Sequence, residues 1–356
     1  MSQQRSHRVA VVGGGVVGLS VAWRAASSGS RVRLVDPAVG SGASWVAGGM
    51  LAPIAEAWPG EEELLTLGAD SLARWPAFAE DLAADSGRPS GLRRDGTLVV
   101  GVDSADRAEL TRLEEHLSSV GRTVTRHPGR ELRRLEPALG PAVRAGLEVP
   151  GDLAVDNRVT LAALRDACRA RGVEFVAESA RAVSPGTVEL NEGSLTCDVA
   201  VIACGAHSGS LHPKLDGRLR PVKGEILRLR HRGSALPPPR RTIRGPVHGR
   251  QVYLVPRDDG IVVGATQYEV GFDTDVTAGG VRDLLADAEQ LVPGLSEYAV
   301  DEVTAGLRPG TDDNLPIVET LEPGVVATTG HHRNGYLLAP LTAETAVELL
   351  QDGGRT

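Results

Sequence analysis

RVAVVGGGVVG, at Arg8–Gly18, carries the strongest structural signal in this chain of 356 residues. Between Arg8 and Val12 the residues are apolar and mostly β-branched, which predicts a strand. The glycines that follow stand in GxGxxG spacing at Gly13, Gly15 and Gly18. In a strand–turn–helix unit the first glycine allows the tight turn, the second lets the backbone approach a pyrophosphate, and the third lets the helix lie close to the strand.

A helix and a second strand extend this unit. Val16 to Ser28 has the pattern of a helix, whose N-terminus offers oriented N–H donors to an anion. Arg31 to Val35 predicts the second strand, which ends in Asp36. Asp36 lies 18 residues past Gly18, close to the roughly 20 expected of a group that accepts ribose hydroxyls. This context indicates a dinucleotide site rather than a glycine-rich turn without a ligand.

Composition narrows the class of protein. The length predicts two domains or one large one, and 41% hydrophobic residues is typical of a globular enzyme. A net charge of −8 argues against nucleic acid as a partner. Cys168, Cys197 and Cys204 are scattered, which favours neither a disulfide framework nor a zinc site. Because no apolar run has the length of a membrane span, we expect a cytoplasmic protein without a membrane partner.

A second glycine-rich stretch follows Asp36 and reads GSGASWVAGGMLA from Gly40 to Ala52. Its small residues allow a bulky ligand to lie against the backbone, and Ala43 to Met50 predicts the start of a helix that points at a phosphate or a ring. We interpret Leu51 to Trp58 as an entrance segment and Glu61–Glu63 as a solvated helix start.

Later elements fall into two groups. Leu161 to Arg171 predicts an amphipathic helix and Val199 to Ala203 a buried strand, as in a doubly wound domain. Further along the chain, short strand-like runs separated by turn signals are typical of an antiparallel sheet. These runs are Gly224–Leu229, Val252–Val255 and Gly260–Gly264.

Motifs spread over nearly the whole chain resemble those of the glycine oxidases, and most closely the thiamine-pathway members. That family belongs to the D-amino-acid oxidase and sarcosine oxidase superfamily of FAD amine oxidases. The motifs are GASWVAGGML at Gly42–Leu51, PVKGE at Pro221–Glu225, YLVPR at Tyr253–Arg257, GAT at Gly264–Thr266, AGLRPGTDDNLP at Ala305–Pro316 and GHHRNGYLLAP at Gly330–Pro340.

The resemblance implies an α/β fold combined with antiparallel β structure. A Rossmann-type FAD-binding domain would comprise residues 1–75, 150–215 and 305–356. An interleaved substrate-binding domain, residues 76–149 and 216–304, would place an antiparallel sheet over the flavin. Related sarcosine oxidases attach FAD through a cysteine in the segment that matches 307–316, where this chain has none. The resemblance therefore implies noncovalent FAD.

The positions that match the family's FAD contacts begin at the first turn and end at the C-terminal motif. They place ribose at Asp36, the pyrophosphate near Ser44, the flavin ring between Gly48 and the 331–337 segment, and adenine at the backbone of Arg181. The full set is Gly13, Gly15, Val16, Val17, Gly18, Asp36, Pro37, Ala43, Ser44, Gly48, Gly49, Met50, Arg181, His331, His332, Arg333, Asn334, Gly335, Tyr336 and Leu337.

Catalysis depends mainly on the orientation of the substrate. The carboxylate of the amino acid must be bound, its amine must be neutral, and its Cα–H must point at the flavin. No acid–base side chain is required. Arg308 matches the family's carboxylate-binding arginine; the alternative is a loop arginine paired with Asp312 or Asp313. Arg333 matches a second arginine lining the substrate. Tyr253 matches a tyrosine that reaches the carboxylate, and its alternative is a core strand residue.

Three positions depart from the glycine oxidases. Gln251 stands where histidine is frequent, Gln267 where methionine can line the pocket, and His332 where an aromatic residue is usual. These changes point either to drift within true glycine oxidases or to a pocket for a secondary amine with a longer N-substituent. The adjacent His331 and His332 do not indicate a metal site, because neighbouring side chains diverge and no third ligand has suitable spacing.

The sequence thus predicts an FAD-dependent oxidase that converts glycine or an N-substituted glycine to an imine, with molecular oxygen as acceptor. Several alternatives stay open: an oxidase of specialised metabolism that cleaves a larger N-carboxymethyl amine, a D-amino-acid dehydrogenase with a different electron acceptor, a nicotinamide-dependent enzyme and a noncatalytic flavin-binding protein. No surface signal selects an oligomeric state, so a homo-oligomer also stays open.

Overall fold

The computed structural model describes residues 7–352. Their strands form two large sheets and two small ones. The strands are β1 (Arg8–Val12), β2 (Arg31–Val35), β3 (Met50–Leu51), β4 (Leu92–Arg93), β5 (Thr97–Gly101), β6 (Thr125–Pro128), β7 (Ala145–Val149), β8 (Leu153–Val155), β9 (Glu174–Val176), β10 (Ala180–Ser184), β11 (Thr187–Leu190), β12 (Ser194–Thr196), β13 (Val199–Ile202), β14 (Arg220–Arg230), β15 (Thr242–Val247), β16 (Arg250–Pro256), β17 (Gly260–Gly264), β18 (Ala299–Gly310), β19 (Ile317–Glu322) and β20 (Val325–Thr329). The helices are α1 (Val16–Ser27), α2 (Gly42–Val46), α3 (Glu62–Ser86), α4 (Ser104–Ser119), α5 (Gly129–Leu135), α6 (Asn157–Ala170), α7 (Ala278–Leu291) and α8 (Ala339–Asp352).

The first large sheet has the strand order β19-β20-β13-β1-β2-β9 and is parallel except for the β19–β20 pair. Helices α1, α3, α6 and α8 pack together on one face, and the three-stranded sheet β10–β12 covers the other. This is the predicted doubly wound unit. Strands β1 and β2 have the predicted bounds, and α1 ends one residue earlier than predicted.

The second large sheet has the order β18-β14-β17-β16-β15-β5-β7-β6, and its pairs are antiparallel except for β15 with β5. Alternate residues face opposite sides of a sheet. One side packs against α7 and forms a core with Leu227, Leu254 and Val263. The other side carries Tyr253 and Arg244 toward a cavity. The predicted class, a Rossmann-type domain combined with an antiparallel sheet, is confirmed.

Strand β18 links the two parts of the fold. It pairs along its length with β14 in the antiparallel sheet, and Gly306 within it packs against Ala43 and Val46 of α2. The predicted domain boundary at residue 305 therefore falls inside a continuous strand. The outermost parts of the predicted domains, residues 1–6 and 353–356, lie outside the described residues.

The amphipathic helix predicted at Leu161–Arg171 corresponds to the larger part of α6, which ends at Ala170. This helix begins earlier, at Asn157, because the Asp156 carboxylate accepts hydrogen bonds from the N–H groups of Arg158 and Val159 and caps the first turn. Within residues 7–352, no helix is both long enough and apolar enough to cross a membrane.

Candidate active site

A cavity of about 1570 Å³ lies between the two large sheets. Most of the residues selected from the sequence line it, although they come from distant parts of the chain. These are Gly13, Gly15, Val16, Val17, Asp36, Pro37, Ala43, Ser44, Gly48, Gly49, Met50, Gln251, Tyr253, Gln267, Arg308, His331, His332, Arg333, Gly335 and Tyr336. The exceptions are Gly18, Arg181, Asn334 and Leu337.

The glycine-rich end of the cavity is formed by Gly13–Gly18 and Asp36. Gly13 has φ of +111°, and a side chain on it would collide with the carbonyl of Ala203, the residue that follows β13. A side chain on Gly18 would collide with the carbonyl oxygen of Gly13. Both positions therefore require glycine if the turn and α1 are to lie this close to the sheet.

The N-terminus of α1 is open toward the cavity. The Val16 N–H is capped by the Ser44 hydroxyl, with an N···O distance of 3.0 Å. The N–H groups of Gly15 and Val17 have no acceptor within residues 7–352. Free backbone donors at a helix N-terminus bind phosphate groups, so this end is suited to a pyrophosphate.

Asp36 lies at the end of β2 and braces the same turn. Its carboxylate accepts hydrogen bonds from the N–H of Gly14, at 2.6 Å, and of Ala38, at 2.7 Å. A carboxylate has about four acceptor positions, so capacity remains for ligand hydroxyls on the cavity side. The sequence predicted the position of this acid but not its bond to the glycine turn.

Buried polar side chains donate hydrogen bonds to the backbone of the segment that contains α2 and hold it in place. The Asn157 side-chain amide donates to the carbonyls of Ser44, at 3.0 Å, and Trp45, at 2.8 Å. The Arg257 guanidinium donates to the Gly48 carbonyl at 2.8 Å. Burial lowers the pKa of Arg257 to about 10. Sequence reasoning gave Arg257 no role beyond its place in the YLVPR motif and missed Asn157.

Arg308, on β18, points into the cavity beside strand β14. Its Nη1 donates to the Thr266 carbonyl at 3.2 Å. No carboxylate within residues 7–352 forms an ion pair with it, so the alternative pairing with Asp312 or Asp313 does not occur. Gly224 on β14 leaves the space that the guanidinium occupies, because a side chain there would collide with it. An unpaired arginine in a cavity is available to an anionic ligand.

Tyr253, on β16, lies between two glycines. A side chain on either Gly48 or Gly264 would collide with its ring. Burial raises the pKa of the phenol, while the positive charge of Arg308 opposes this shift. The hydroxyl is therefore neutral and lies next to the Arg308 guanidinium. Tyr253, Arg308 and their neighbour Arg244 define the arginine end of the cavity.

Arg333 also lines the cavity, but it is already paired. Its Nη2 donates to the Glu61 carboxylate at 2.9 Å, and its Nε lies 3.9 Å from Glu56. Glu61 also accepts a hydrogen bond from the Asn314 amide at 2.7 Å. The predicted helix start at Glu61–Glu63 is present, since Glu61 is the N-cap residue of α3 and Glu62 and Glu63 are exposed in its first turn; Glu61 differs from the prediction because it is partly buried and binds Arg333.

The two neighbouring histidines have different surroundings. His331 is buried and its Nε2 lies 2.9 Å from the Thr342 hydroxyl. His332 faces the cavity, and neither ring nitrogen has a hydrogen-bond partner within the described chain. Burial lowers the pKa of each to about 4, so both rings are neutral near pH 7. Residues 7–352 contain no group of three or more metal-ligating side chains.

Gln251 and Gln267 both line the cavity. The Gln251 amide donates to Glu109 at 2.6 Å and accepts from Arg244 at 3.4 Å. Arg244, which also lies 3.1 Å from Glu56, was missed by sequence reasoning. No local motif marks Arg244, and only its strand pairing brings it to the cavity.

Arg181 lies outside the cavity. Its guanidinium binds Asn191 instead, with an Nε–Oδ1 distance of 3.0 Å. The preceding residues Glu178, Ser179 and Ala180 do line the cavity.

The model of the FAD dependent oxidoreductase family matches residues 8–349. The chain belongs to this family. It is therefore an FAD-dependent oxidoreductase, and the glycine turn, the free N–H groups at α1 and the size of the cavity fit FAD. This confirms the predicted class of enzyme and its cofactor.

Relatives and solved structures agree with the family. The putative thiamine biosynthesis oxidoreductase ThiO of Rhizobium etli is 36% identical over 98% of this chain and 98% of that protein. The crystal structure of glycine oxidase from Geobacillus kaustophilus has a TM-score of 0.87 and 30% identity, covering 98% of this chain and 95% of that one. The bifunctional protein ThiO/ThiG of Nostoc sp. is 31% identical over 96% of this chain. The chain spans 52% of the length of that protein.

Proposed function

We propose that this flavoenzyme oxidises glycine, or a glycine with a substituent on its nitrogen, and uses molecular oxygen as the final electron acceptor. The observation that carries the proposal is Arg308, which lines the cavity without an ion pair in residues 7–352 and lies beside the neutral Tyr253 hydroxyl. A guanidinium fork and a phenol together suit the carboxylate of a small amino acid. The relatives named glycine oxidase and ThiO support the same substrate class.

In the proposed reaction the substrate loses two electrons and two protons, from its Cα–H and N–H bonds, and becomes an imine. Water adds to the imine and releases glyoxylate together with ammonia, or with the free amine where nitrogen carried a substituent. Bound FAD supplies the two-electron acceptor, and oxygen takes up the electrons and two protons as hydrogen peroxide. The chain's own contribution is to orient the substrate and exclude water.

We propose that substrate contacts come from six side chains around the arginine end. Arg308 and Tyr253 bind the carboxylate, and His332 faces the amine as a neutral ring that adds no repelling charge. Arg333 is held by Glu61 and acts through its charge. The full set is Arg308, Arg333, Tyr253, Gln251, Gln267 and His332.

We propose that FAD extends from the glycine-rich end to the 331–337 segment and is held without a covalent bond. Support for a noncovalent cofactor comes from Cys204, a cysteine that lines the cavity. Its thiol donates to the Val12 carbonyl at 3.2 Å. Burial raises the pKa of this thiol to about 12, so it is not a reactive thiolate. The adenine contact predicted at Arg181 is better assigned to the neighbouring cavity residues 178–180.

We also propose that the six-stranded sheet serves the cofactor and the eight-stranded sheet serves the substrate. The glycine turn and Asp36 directly follow strands β1 and β2 of the first sheet, whereas Tyr253 and Arg308 lie within strands of the second. The cytoplasm remains the proposed compartment, and no oligomeric state is proposed.

Peroxide release by the purified yellow protein in air tests the function. We expect peroxide with glycine and sarcosine, and little with D-alanine. If glycine reduced the flavin and the reduced protein then persisted in air, the enzyme would be a dehydrogenase. A flavin that no glycine derivative reduces would contradict the proposal.

A further inference from the structure

We propose that the cavity contains a second subsite, centred on Arg244, that binds a carboxylate or another hydrogen-bond acceptor at the end of the substrate's N-substituent. This inference rests on the proposed function, because it places the substrate amine between Arg308 and Arg244. It narrows the substrate class to glycines whose nitrogen carries an acceptor-bearing chain.

The sheet places the two arginines on opposite sides of Tyr253. Tyr253 on β16 lies directly opposite Gly264 on β17 and directly opposite Arg244 on β15. Directly paired residues project from the same face of a sheet, and neighbouring strands are about 4.8 Å apart. Arg308 projects from β18, beyond β17 and β14, and Arg244 from the strand on the other side of Tyr253. A ligand bound at Tyr253 and Arg308 can therefore extend along the sheet to Arg244.

Arg244 has donors that the protein does not use. Its side chain is only 14% exposed. Its Nε and Nη1 are enclosed by protein and have no hydrogen-bond partner within residues 7–352, so the nitrogen that a ligand can reach is Nη2, which has only a long contact of 3.4 Å with Gln251. Glu56 lies 3.1 Å from Nη1 and balances the charge, but this contact lacks hydrogen-bond geometry. The weakly bonded Nη2 of a mostly buried guanidinium favours binding of an acceptor from a ligand.

The surrounding charges favour an acceptor over an apolar group. Arg112 lines the same part of the cavity, is exposed, and makes no ion pair or hydrogen bond within the described residues. Glu109 and Glu56 carry negative charge at this end as well; Glu109 accepts a hydrogen bond from the Gln251 amide, and Glu56 lies within 4 Å of both Arg244 and Arg333, whose positive charges offset its own. Two arginines with free donors therefore face this end of the cavity. A carboxylate matches the planar guanidinium with two parallel bonds, and a carboxamide offers a single oxygen.

Three substrates of matched size test the subsite. They are N-(2-carboxyethyl)glycine, its amide N-(2-carbamoylethyl)glycine, and the apolar isostere N-(3-methylbutyl)glycine, each compared with glycine by peroxide release. For the native enzyme we expect kcat/KM to be at least about tenfold higher for the carboxylate than for the isostere, with the amide between them.

Arg244→Met should bring the ratio of kcat/KM for the carboxylate to that for the isostere to about one; because both substrates are measured on the same variant, a general loss of activity cancels in the ratio. Arg244→Lys keeps the charge without the fork and should retain part of the preference. Arg282→Met is the matched control, because Arg282 is exposed and its ion-pair partner is the adjacent Asp283.

A binding measurement on the native enzyme covers the case in which Arg244→Met does not fold. Adipate has the same chain length as N-(2-carboxyethyl)glycine but cannot form an imine, and 6-methylheptanoate is its apolar isostere. Titration followed by flavin absorbance should give tighter binding of adipate. Equal kcat/KM for the carboxylate and isostere substrates, or equal affinity for the two acids, overturns the subsite while glycine oxidation stands. If neither glycine nor any of the three N-substituted glycines is oxidised, the proposed function has failed instead.

Discussion

At the glycine-rich end of the cavity the available contacts are backbone groups from one short stretch of chain, whereas at the arginine end they are side chains from separate strands. Gly13–Gly18 forms a turn whose shape is set by close packing, and Asp36 braces it through the Gly14 N–H. Arg308, Tyr253 and Arg244 meet only because β18, β16 and β15 lie in one sheet.

The two ends of the cavity therefore differ in the substitutions that they tolerate. A backbone turn packed against β13 has no room for a side chain, so the cofactor end tolerates little change. Side chains that project from a sheet into a cavity can be exchanged one at a time without moving the strands. We therefore expect substitutions at the glycine-rich end to remove FAD, and substitutions at the arginine end to change which substrate is used.

The largest effect is expected for Gly18→Ala. The added methyl group would collide with the Gly13 carbonyl oxygen, so α1 could not keep its distance from the turn. We expect a protein that purifies without flavin, measured as the ratio of flavin absorbance to protein absorbance. Gly151→Ala is the matched control, because no atom beyond its immediate chain neighbours lies within 4 Å of the added methyl group. Normal flavin content in Gly18→Ala would mean that the turn is not the site of FAD.

The next largest effect is expected for Arg308→Ala, at the arginine end of the cavity. Removing the guanidinium leaves the turn intact, so bound FAD should be retained. Loss of the carboxylate contact should cost about 2–5 kcal/mol of transition-state stabilisation, measured as the fall in kcat/KM for glycine. Arg308→Lys should recover part of the activity, because it restores the charge but not the two parallel bonds. Near-normal kcat/KM in the alanine variant would remove Arg308 from the site.

The contrast between local contacts and contacts from separate strands also explains which elements of the fold could be predicted from the sequence. Strands β1 and β2 were predicted to the residue, because an apolar β-branched run bounded by glycine or an acid is a local pattern. Strand β14 extends to Arg220–Arg230, well beyond the predicted Gly224–Leu229. Its buried Lys223 interrupts the apolar pattern and is stabilised by Asp273 at 2.6 Å, a partner 50 residues away.

Side-chain partners at the arginine end could not be predicted for a similar reason. Arg308 and Tyr253 were identified by resemblance, since each stands inside a recognisable motif. Arg244 lies in no such motif, and its position follows from pairing with Tyr253 across β15 and β16. The pairing of Arg333 with Glu61 joins residues 272 positions apart. Local sequence patterns carry no information on contacts of this range.

The next prediction concerns the pH dependence of stability and rests on Asp152, whose carboxyl binds the entrance segment. Its carboxyl accepts the N–H of Ala55 at 3.1 Å and of Ile54 at 3.4 Å. Burial raises the pKa of this carboxyl from 3.8 to about 7, although these hydrogen bonds oppose the shift. Between these two values the folded protein binds a proton there that the unfolded chain has released, so this group's contribution to stability falls as pH rises through the window.

Asp152→Asn should remove that dependence, because the amide does not ionise. The free energy of unfolding of the variant relative to the native protein should therefore rise from pH 4 to pH 7, by about 2–4 kcal/mol. Denaturant unfolding of the two proteins at several pH values measures the difference. A difference that stays constant with pH would show that the carboxyl does not hold a proton in the folded state.

The smallest effect on binding is expected at Asp36. This residue lies at the glycine-rich end of the cavity, but it supports the backbone turn through its side chain. Asp36→Ala removes the bond to the Gly14 N–H together with the acceptor on the cavity side, and we expect FAD affinity to fall by about 1–3 kcal/mol. Asp36→Asn keeps one oxygen as an acceptor and should lose less. Flavin release measured by ultrafiltration compares the two variants. If both lose FAD equally, the negative charge matters rather than the bracing of the turn; if neither does, Asp36 does not contact the cofactor, and the glycine turn alone determines FAD binding.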